Sequence, residues 1–200
     1  MKKLLSLGFT MLFTAAVAAA SEQVAIGAKA PAFSLVSAVD GKQVALDPAA
    51  AEVSVVVFTC NQCPYAKAFE PRIIEIANQY AKRGVKFYAI NPNDETKFDG
   101  VETLANMKVR AVEKSFPFPY LKDADSSIAR AYGARVTPHV FVVDKGGVVR
   151  YRGYIDDTAK AEERQVTGLT DALDAMLAGK AVTNAVTREF GCTIKWVAAK

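Results

Sequence analysis

The sequence predicts an α/β fold in which a central mixed sheet is flanked by helices. Residues 53–58 are β-branched and almost continuously apolar, which is typical of a strand buried on both sheet faces. Apolar residues at three- and four-residue spacings then predict an amphipathic helix from Cys63 to about Arg83. A second apolar strand over residues 85–90 completes a strand, helix, strand unit, which implies a right-handed parallel crossover.

The rest of the chain adds a hairpin and further helices. Two apolar strands, residues 140–143 and 148–152, are separated by a turn with Gly146 and Gly147, so they predict an antiparallel hairpin. The other predicted elements are a helix whose apolar face holds Val101, Leu104, Ala105, Val112 and Phe116, an extended piece at 118–121, helices at 126–132 and 161–177, and a tail containing Cys192.

Residues 1–20 have the pattern of a secretory signal peptide. Lys2 and Lys3 precede an apolar run that ends in small residues at Ala20. We expect cleavage after Ala20 and export, in a bacterial cell to the periplasm. An uncleaved membrane anchor is the alternative, although so short a run is marginal for roughly 30 Å of hydrocarbon. The mature protein is therefore not expected to be embedded in the membrane.

Residues 21–200 are expected to form a single domain. The chain is 51% hydrophobic and 23% charged, as in ordinary globular proteins. Removing the leader takes Lys2 and Lys3 from 25 basic residues, which against 21 acidic residues leaves a net charge of +2. Basic clusters such as Lys82-Arg83 are short, so the sequence does not predict nucleic-acid binding.

The segment Cys60-Asn-Gln-Cys63 is the strongest candidate for a functional site. It lies where the strand at 53–58 meets a helix, and a helix N-terminus stabilises a thiolate. Two-residue spacing also allows the sulfurs to form a disulfide. The prediction is that Cys60 attacks and Cys63 resolves the mixed disulfide, without a cofactor. A structural disulfide or a metal-binding pair is the alternative for these two cysteines.

A second segment, Thr137-Pro138 before the strand at 140–143, completes a resemblance to the thioredoxin fold. The resemblance implies that Pro138 is cis and lies against Cys60 and Cys63. It also implies that the backbone of Thr137 pairs with an incoming polypeptide, which is strand addition at an exposed edge. The expected partners are protein thiols or disulfides, together with an upstream electron donor or acceptor.

Other segments resemble the redoxin branch of that superfamily, of the alkyl hydroperoxide reductase and thiol-specific antioxidant type. The segment Gly27–Leu35, with Asp40-Gly-Lys42, resembles the N-terminal β-hairpin extension of the branch. Three later segments resemble its peroxiredoxin-like subgroup: 118–123, 132–134 and 151–157. Peroxiredoxins carry a proline and a threonine or serine ahead of their cysteine, but the matching positions here are Val53 and Val57. The peroxide pocket is therefore expected to be absent.

Three further residues are possible accessories to the site. Thr59 stands where thioredoxin has a tryptophan. His139, the only histidine, could lower a thiolate pKa or ligate a metal, or it could only satisfy a backbone group. Cys192 could be a third redox thiol, but a buried free cysteine distant from the site is slightly favoured. The acids Asp94, Asp156 and Asp157 are interpreted as turn residues.

Three functions remain open from the sequence. The leading hypothesis is an exported thiol-disulfide oxidoreductase acting through Cys60 and Cys63. The second is a peroxiredoxin-like thiol peroxidase. The third, from another class, is a soft-metal module that binds Cu(I) through Cys60, Cys63 and His139.

Overall fold

The computed structural model describes residues 22–198, and their main sheet has seven strands in the order β2-β1-β5-β4-β3-β7-β8. A separate two-stranded sheet pairs β6 with β9. The strands are β1 (Ser34–Ser37), β2 (Gln43–Ala45), β3 (Val53–Phe58), β4 (Val85–Asn91), β5 (Tyr120–Lys122), β6 (Val136–Thr137), β7 (His139–Asp144), β8 (Val149–Gly153) and β9 (Cys192–Thr193).

The sheet is mixed, as predicted. Strands β3, β4 and β5 run parallel, whereas β7 and β8 form an antiparallel hairpin beside β3. At the other edge β1 and β2 form the expected N-terminal hairpin, which joins the sheet through β5. Every residue of β3 is buried, which explains its continuous apolar sequence.

Helices cover both faces of the sheet. The helices are α1 (Pro64–Ala81), α2 (Leu104–Glu113), α3 (Ser127–Tyr132) and α4 (Gly168–Leu177). Side chains of α1, α2 and α4 pack with Val55 and Val57 in one core, and those of α3 pack with Val56 and Phe58 in the other. The period-2 alternation of β3 therefore divides its side chains between two cores.

Two helix predictions need correction. The buried residues of α2 are Met107 and Ala111, whereas Val112, predicted on the apolar face, is 61% exposed. The helix predicted over 161–177 is shorter: residues Ala161–Glu163 form a 3-10 turn, and α4 begins only at Gly168. Gly168 cannot be larger, because an added Cβ would lie 2.5 Å from the Tyr151 hydroxyl.

A buried ion pair fixes helix α1 to the segment after β8. Arg72 Nη1 lies 2.6 Å from Asp156 Oδ2, and both side chains are almost completely buried. Arg72 also donates to the carbonyl oxygens of Thr158 and Ala159, at 2.9 Å and 2.8 Å. Asp156 is therefore a buried counter-ion as well as the predicted turn acid, since it also accepts the Thr158 N–H at 3.4 Å.

The predicted leader, residues 1–20, lies outside the described residues. Within residues 22–198, no helix is both long enough and apolar enough to cross a membrane.

Candidate active site

The two cysteines of the Cys60-Asn-Gln-Cys63 segment lie in the loop between β3 and α1. Helix α1 begins at Pro64, a position where the missing N–H of proline costs no hydrogen bond. Cys63 is therefore the N-cap residue, and its Sγ accepts a hydrogen bond from the Ala66 N–H at 3.4 Å. Both cysteines are free thiols, and each is only 3% exposed.

The Thr137-Pro138 segment lies directly against both sulfurs. The Thr137-Pro138 peptide bond is cis, as the resemblance implied. Cys60 Sγ lies 3.1 Å from Thr137 Oγ1, and Cys63 Sγ lies 3.1 Å from the Thr137 carbonyl oxygen. Segments more than 70 residues apart in sequence thus meet around the cysteine pair.

Hydrogen bonds place the negative charge of the reduced pair on Cys63. The hydrogen bond from Cys60 is the largest cause; despite burial, it lowers the pKa of Cys63 to about 5, with help from Cys192 and the Ala66 N–H. The Thr137 carbonyl oxygen favours a protonated Cys63, but these donors outweigh that acceptor.

Cys60 is correspondingly held in its protonated form. Its hydrogen bond to Cys63, then burial and the Glu102 carboxylate, raise the pKa of Cys60 well above the usual value. The sequence predicted the thiolate on Cys60, whereas these two pKa shifts favour Cys63. The contact between the two thiols is the main cause, and the Ala66 N–H in the first turn of α1 adds to it.

Glu102 is a buried acid beneath the cysteine loop, and no sequence pattern indicated it. Its side chain is fully buried, and its carboxylate accepts the backbone N–H groups of Asn61 at 2.9 Å and Gln62 at 3.1 Å. Asn91 and Asn93, at the end of β4, donate their side-chain amides to the same carboxylate at 2.8 Å and 3.2 Å. Glu102 therefore holds the loop between the two cysteines in place.

Asn61 is fixed on its other side as well. Its side-chain amide donates to the Val101 carbonyl oxygen at 2.8 Å, and its Oδ1 accepts from the Tyr120 hydroxyl at 3.0 Å. The only sequence signal for this network is weak, an Asn-Pro-Asn segment at the end of the strand at 85–90. Nothing in the local pattern around Glu102 indicates which loop it binds.

His139 is buried and neutral. Burial, with the positive charges of Arg152 and Arg135, lowers the pKa of His139 to about 3. Its Nδ1 accepts the Arg135 N–H at 3.4 Å, and its Nε2 has no hydrogen-bond partner among the described residues. This agrees with the backbone-satisfying interpretation, because a neutral imidazole supplies no positive charge to a thiolate.

Cys192 is close to the pair, contrary to the favoured prediction of a distant buried cysteine. It packs against the cluster of Cys60, Cys63 and Ala66. It is also partly exposed, unlike the other two cysteines. The sequence could not show this, because the contact depends on where the C-terminal tail returns to the sheet.

The remaining candidate residues lie in the β3 region. Thr59 is 9% exposed, and its N–H donates to the Ile90 carbonyl oxygen at 2.8 Å, which continues the β3–β4 pairing. Val53 and Val57, at the positions where peroxiredoxins carry polar residues, are buried in the sheet. Within residues 22–198, no three His, Cys, Asp or Glu side chains are arranged to hold one metal ion.

Comparison with known proteins identifies the family. Residues 26–152, well over half of the chain, match the AhpC/TSA family. The chain belongs to this family and thus to the redoxin oxidoreductases. The match includes Cys60, Cys63 and Pro138 but ends before Cys192. A search of curated protein sequences gave no significant match.

Solved structures share the fold over most of the chain. A hypothetical protein from Sinorhizobium meliloti is 35% identical with a TM-score of 0.82, covering 90% of this chain and 98% of its own. An uncharacterized conserved protein from Geobacillus kaustophilus is 36% identical, also with a TM-score of 0.82, over 88% and 94%. The thioredoxin domain of a thiol-disulfide oxidoreductase from Bacteroides vulgatus is 20% identical with a TM-score of 0.52, over 64% and 86%, and supports the thioredoxin-like fold.

Proposed function

We propose that the protein exchanges disulfides with protein thiols through Cys60 and Cys63. The observation that carries the proposal is the position of Cys63 at the N-cap of α1, where its sulfur accepts the Ala66 N–H and lies 3.1 Å from the Thr137 carbonyl oxygen. A thiolate is the nucleophile of disulfide exchange, and a neighbouring thiol is needed to resolve the mixed disulfide. Cys63 and Cys60 supply these two groups.

The charge distribution suggests the order of steps. The Cys63 thiolate attacks a substrate disulfide; a mixed disulfide forms, and one substrate sulfur leaves as a thiolate. Cys60 then loses its proton and attacks Cys63 Sγ, so that the Cys60–Cys63 bond forms and the second substrate sulfur leaves. The same steps in reverse oxidise a substrate dithiol. This order reverses the roles predicted from the sequence.

The two sulfurs carry both electrons, so the exchange needs no cofactor. Thr137 and Pro138 are proposed to position the reacting substrate sulfur beside the pair, since Thr137 lies within 3.1 Å of both sulfurs. An upstream electron donor or acceptor must restore the pair after each turnover. We propose export to the periplasm on the basis of the leader pattern at 1–20, because disulfides persist in that compartment.

A two-cysteine reporter peptide tests the exchange in both directions. Reduced protein should reduce the oxidised peptide, and oxidised protein should oxidise the reduced peptide, faster than the uncatalysed reaction. C63S and C60S/C192S should both lose catalytic turnover. C60S/C192S, which keeps only Cys63, should still form a mixed disulfide. Wild-type rates no higher than the uncatalysed rates would contradict the proposal.

Thiol peroxidase activity is the second candidate, because the family includes the alkyl hydroperoxide reductase type. Val53 and Val57 argue against it, since these buried apolar side chains offer no hydrogen bond to a peroxide. Stopped-flow oxidation of the reduced protein by hydrogen peroxide distinguishes the two functions. We expect a rate similar to that of free cysteine; a much faster rate would favour the peroxidase.

A further inference from the structure

The C-terminal tail lies along the edge where a substrate chain is expected to pair. Strand β9 pairs antiparallel with β6, so that Cys192 is opposite Thr137 and Thr193 is opposite Val136. The Ile194 N–H continues the pairing by donating to the Arg135 carbonyl oxygen at 3.2 Å. The tail thus takes the position of an added strand, with a cysteine opposite Thr137.

Contacts on both sides of β9 hold this arrangement. Ile194 is 3% exposed and belongs to one of the two hydrophobic cores. The Lys195 N–H donates to Asn93 Oδ1 at 2.9 Å, and the Lys195 carbonyl oxygen accepts from the Asp94 N–H at 2.7 Å. Asn93 is also a partner of Glu102, so the tail is connected to the network beneath the cysteine loop.

Gly191 allows the tail to approach Thr137 this closely. A Cβ added at Gly191 would lie only 2.3 Å from the Thr137 carbonyl oxygen, which is backbone and cannot rotate away. The preceding residue, Phe190, packs its ring against Tyr65 and Phe69 of α1. The chain is thus fixed immediately before Cys192 as well as after it.

These contacts place Cys63 between two thiols. All three cysteines pack in one cluster with Ala66, and the neighbouring thiols of Cys60 and Cys192 both lower the pKa of Cys63. Cys192 is the partly exposed member of the cluster, whereas Cys60 and Cys63 are each 3% exposed. A thiol arriving from solution therefore reaches Cys192 more easily than the other two.

We propose that Cys192 is a third exchanging cysteine, which takes the disulfide over from Cys60 by forming a Cys63–Cys192 bond. This inference rests on the proposed exchange function of Cys60 and Cys63. The Cys192 thiolate attacks Cys63 Sγ, the Cys60–Cys63 bond breaks, and Cys60 leaves as a thiolate that takes up the proton released by Cys192. One disulfide and one thiol are present before and after, so no oxidant is consumed.

Cys192 loses its proton more readily in the oxidised protein than in the reduced protein. In the reduced protein, burial together with the hydrogen bond to Cys63 and its negative charge raises the pKa of Cys192 to about 11. The last two causes disappear when Cys63 is part of a disulfide, because its sulfur then carries neither charge nor proton. Attack by a substrate thiolate on Cys192 would next release Cys63, and a sulfur of low pKa leaves readily.

Disulfide mapping tests the proposal with oxidised glutathione as the probe. Wild type, C60S and C192S are oxidised, alkylated and digested without reduction, and the linked peptides are identified by mass spectrometry. We expect wild type to contain both Cys60–Cys63 and Cys63–Cys192 links, and C60S to lose both of its free thiols to the Cys63–Cys192 link. Circular dichroism of each variant checks that it is folded.

The matched control moves the thiol by one residue. C60S/C192S/T193C has the same number of thiols and the same tail length as C60S, but its tail thiol faces the opposite side of β9, since successive side chains of a strand alternate. This variant should keep both thiols free or bound to glutathione. Equal intramolecular linkage in C60S and this control, or no Cys63–Cys192 link in C60S, would overturn the proposal. Failure of C192S to form the Cys60–Cys63 link would instead contradict the proposed exchange function.

Discussion

Several neighbouring groups act together on the sulfur of Cys63. Its sulfur is at the N-cap of α1, accepts the Ala66 N–H and packs with the thiols of Cys60 and Cys192. All three groups lower the pKa of Cys63, which is why a sulfur that is only 3% exposed favours the charged form. The reactivity of the site thus depends on two separate parts of the chain, the start of α1 and the C-terminal tail.

The charge on Cys63 predicts a pH-dependent stability of the reduced protein. The pKa of Cys63 is about 5 in the folded protein, whereas a cysteine of the unfolded chain titrates at about 8.5. Between these two pH values the unfolded chain binds more protons than the folded protein, so the free energy of unfolding should increase as pH rises. The contribution of Cys63 is lost as pH falls through about 5. Urea unfolding of the reduced protein from pH 5 to pH 8 measures this.

The matched control is C63S, whose serine does not titrate in this range. C63S keeps the contribution of His139, which is neutral in the folded protein. That contribution to stability is lost in wild type and in C63S alike at low pH, because the histidine of the unfolded chain then binds a proton. We expect C63S to show a smaller rise of stability with pH. The same rise in both proteins would contradict the assignment of the charge to Cys63.

Glu102 gives a second prediction at the residue scale. In E102Q one side-chain oxygen is replaced by an amide that cannot accept, so a buried loop N–H, from Asn61 or Gln62, loses its partner. A loss of about 1–3 kcal/mol in the free energy of unfolding is expected. The pKa of Cys60 should also fall, because the negative charge that raises it is removed.

Urea unfolding and a titration of thiolate absorbance in C63S and C63S/E102Q measure these two effects. E113Q serves as the stability control, since Glu113 is exposed on the adjacent helix α2. An unchanged Cys60 titration in the Glu102 variant would show that the carboxylate does not act on this sulfur.

Helix α1 depends on long-range contacts as well as on its own sequence. Its N-terminus carries Cys63, and its middle is attached to the segment after β8 through the buried pair of Arg72 and Asp156. Arg72 is 5% exposed, so an unpaired charge there cannot be solvated well. The pair therefore stabilises the position of the helix that carries the site.

We predict that D156N is strongly destabilising. It leaves the Arg72 guanidinium buried without its counter-ion, which typically costs about 3–5 kcal/mol. Urea unfolding should show this loss, and D174N is the control. Asp174 pairs with Arg83 at the same distance, 2.6 Å, but on the surface, where solvent screens the pair. Equal effects of D156N and D174N would contradict the role of burial.

The sequence predicted elements well where one periodicity dominates. Strand β3 was predicted from its apolar run, and α1 from its spacing after Cys63. Helix α2 was predicted with the wrong face, because Val112 and Leu104 are apolar but exposed, and Met107 occupies the core instead. Periodicity finds an apolar stripe, but it does not decide which of two possible stripes meets the sheet.

At the scale of the molecule, the order of the strands brings the site together. Parallel β3 and β4 and antiparallel β7 place the end of β3, the Asn-Pro-Asn segment and Thr137-Pro138 at one end of the sheet. The fold class followed from the sequence because it depends on these strong central strands. The tail did not, because β9 has only two residues and pairs with a strand more than 50 residues earlier.

The central claim is that Cys60 and Cys63 form an exchanging pair, and the redox equilibrium of the protein with glutathione tests it most directly. Purified protein is equilibrated at a series of ratios of reduced to oxidised glutathione, its thiols are trapped with an alkylating mass tag, and the tags are counted. We predict a single two-electron transition in which two of the three thiols become unavailable together. C60S/C63S, which retains Cys192, should show no such transition. Three thiols that stay free at every ratio, or that react one by one with glutathione without forming an internal disulfide, would contradict the claim.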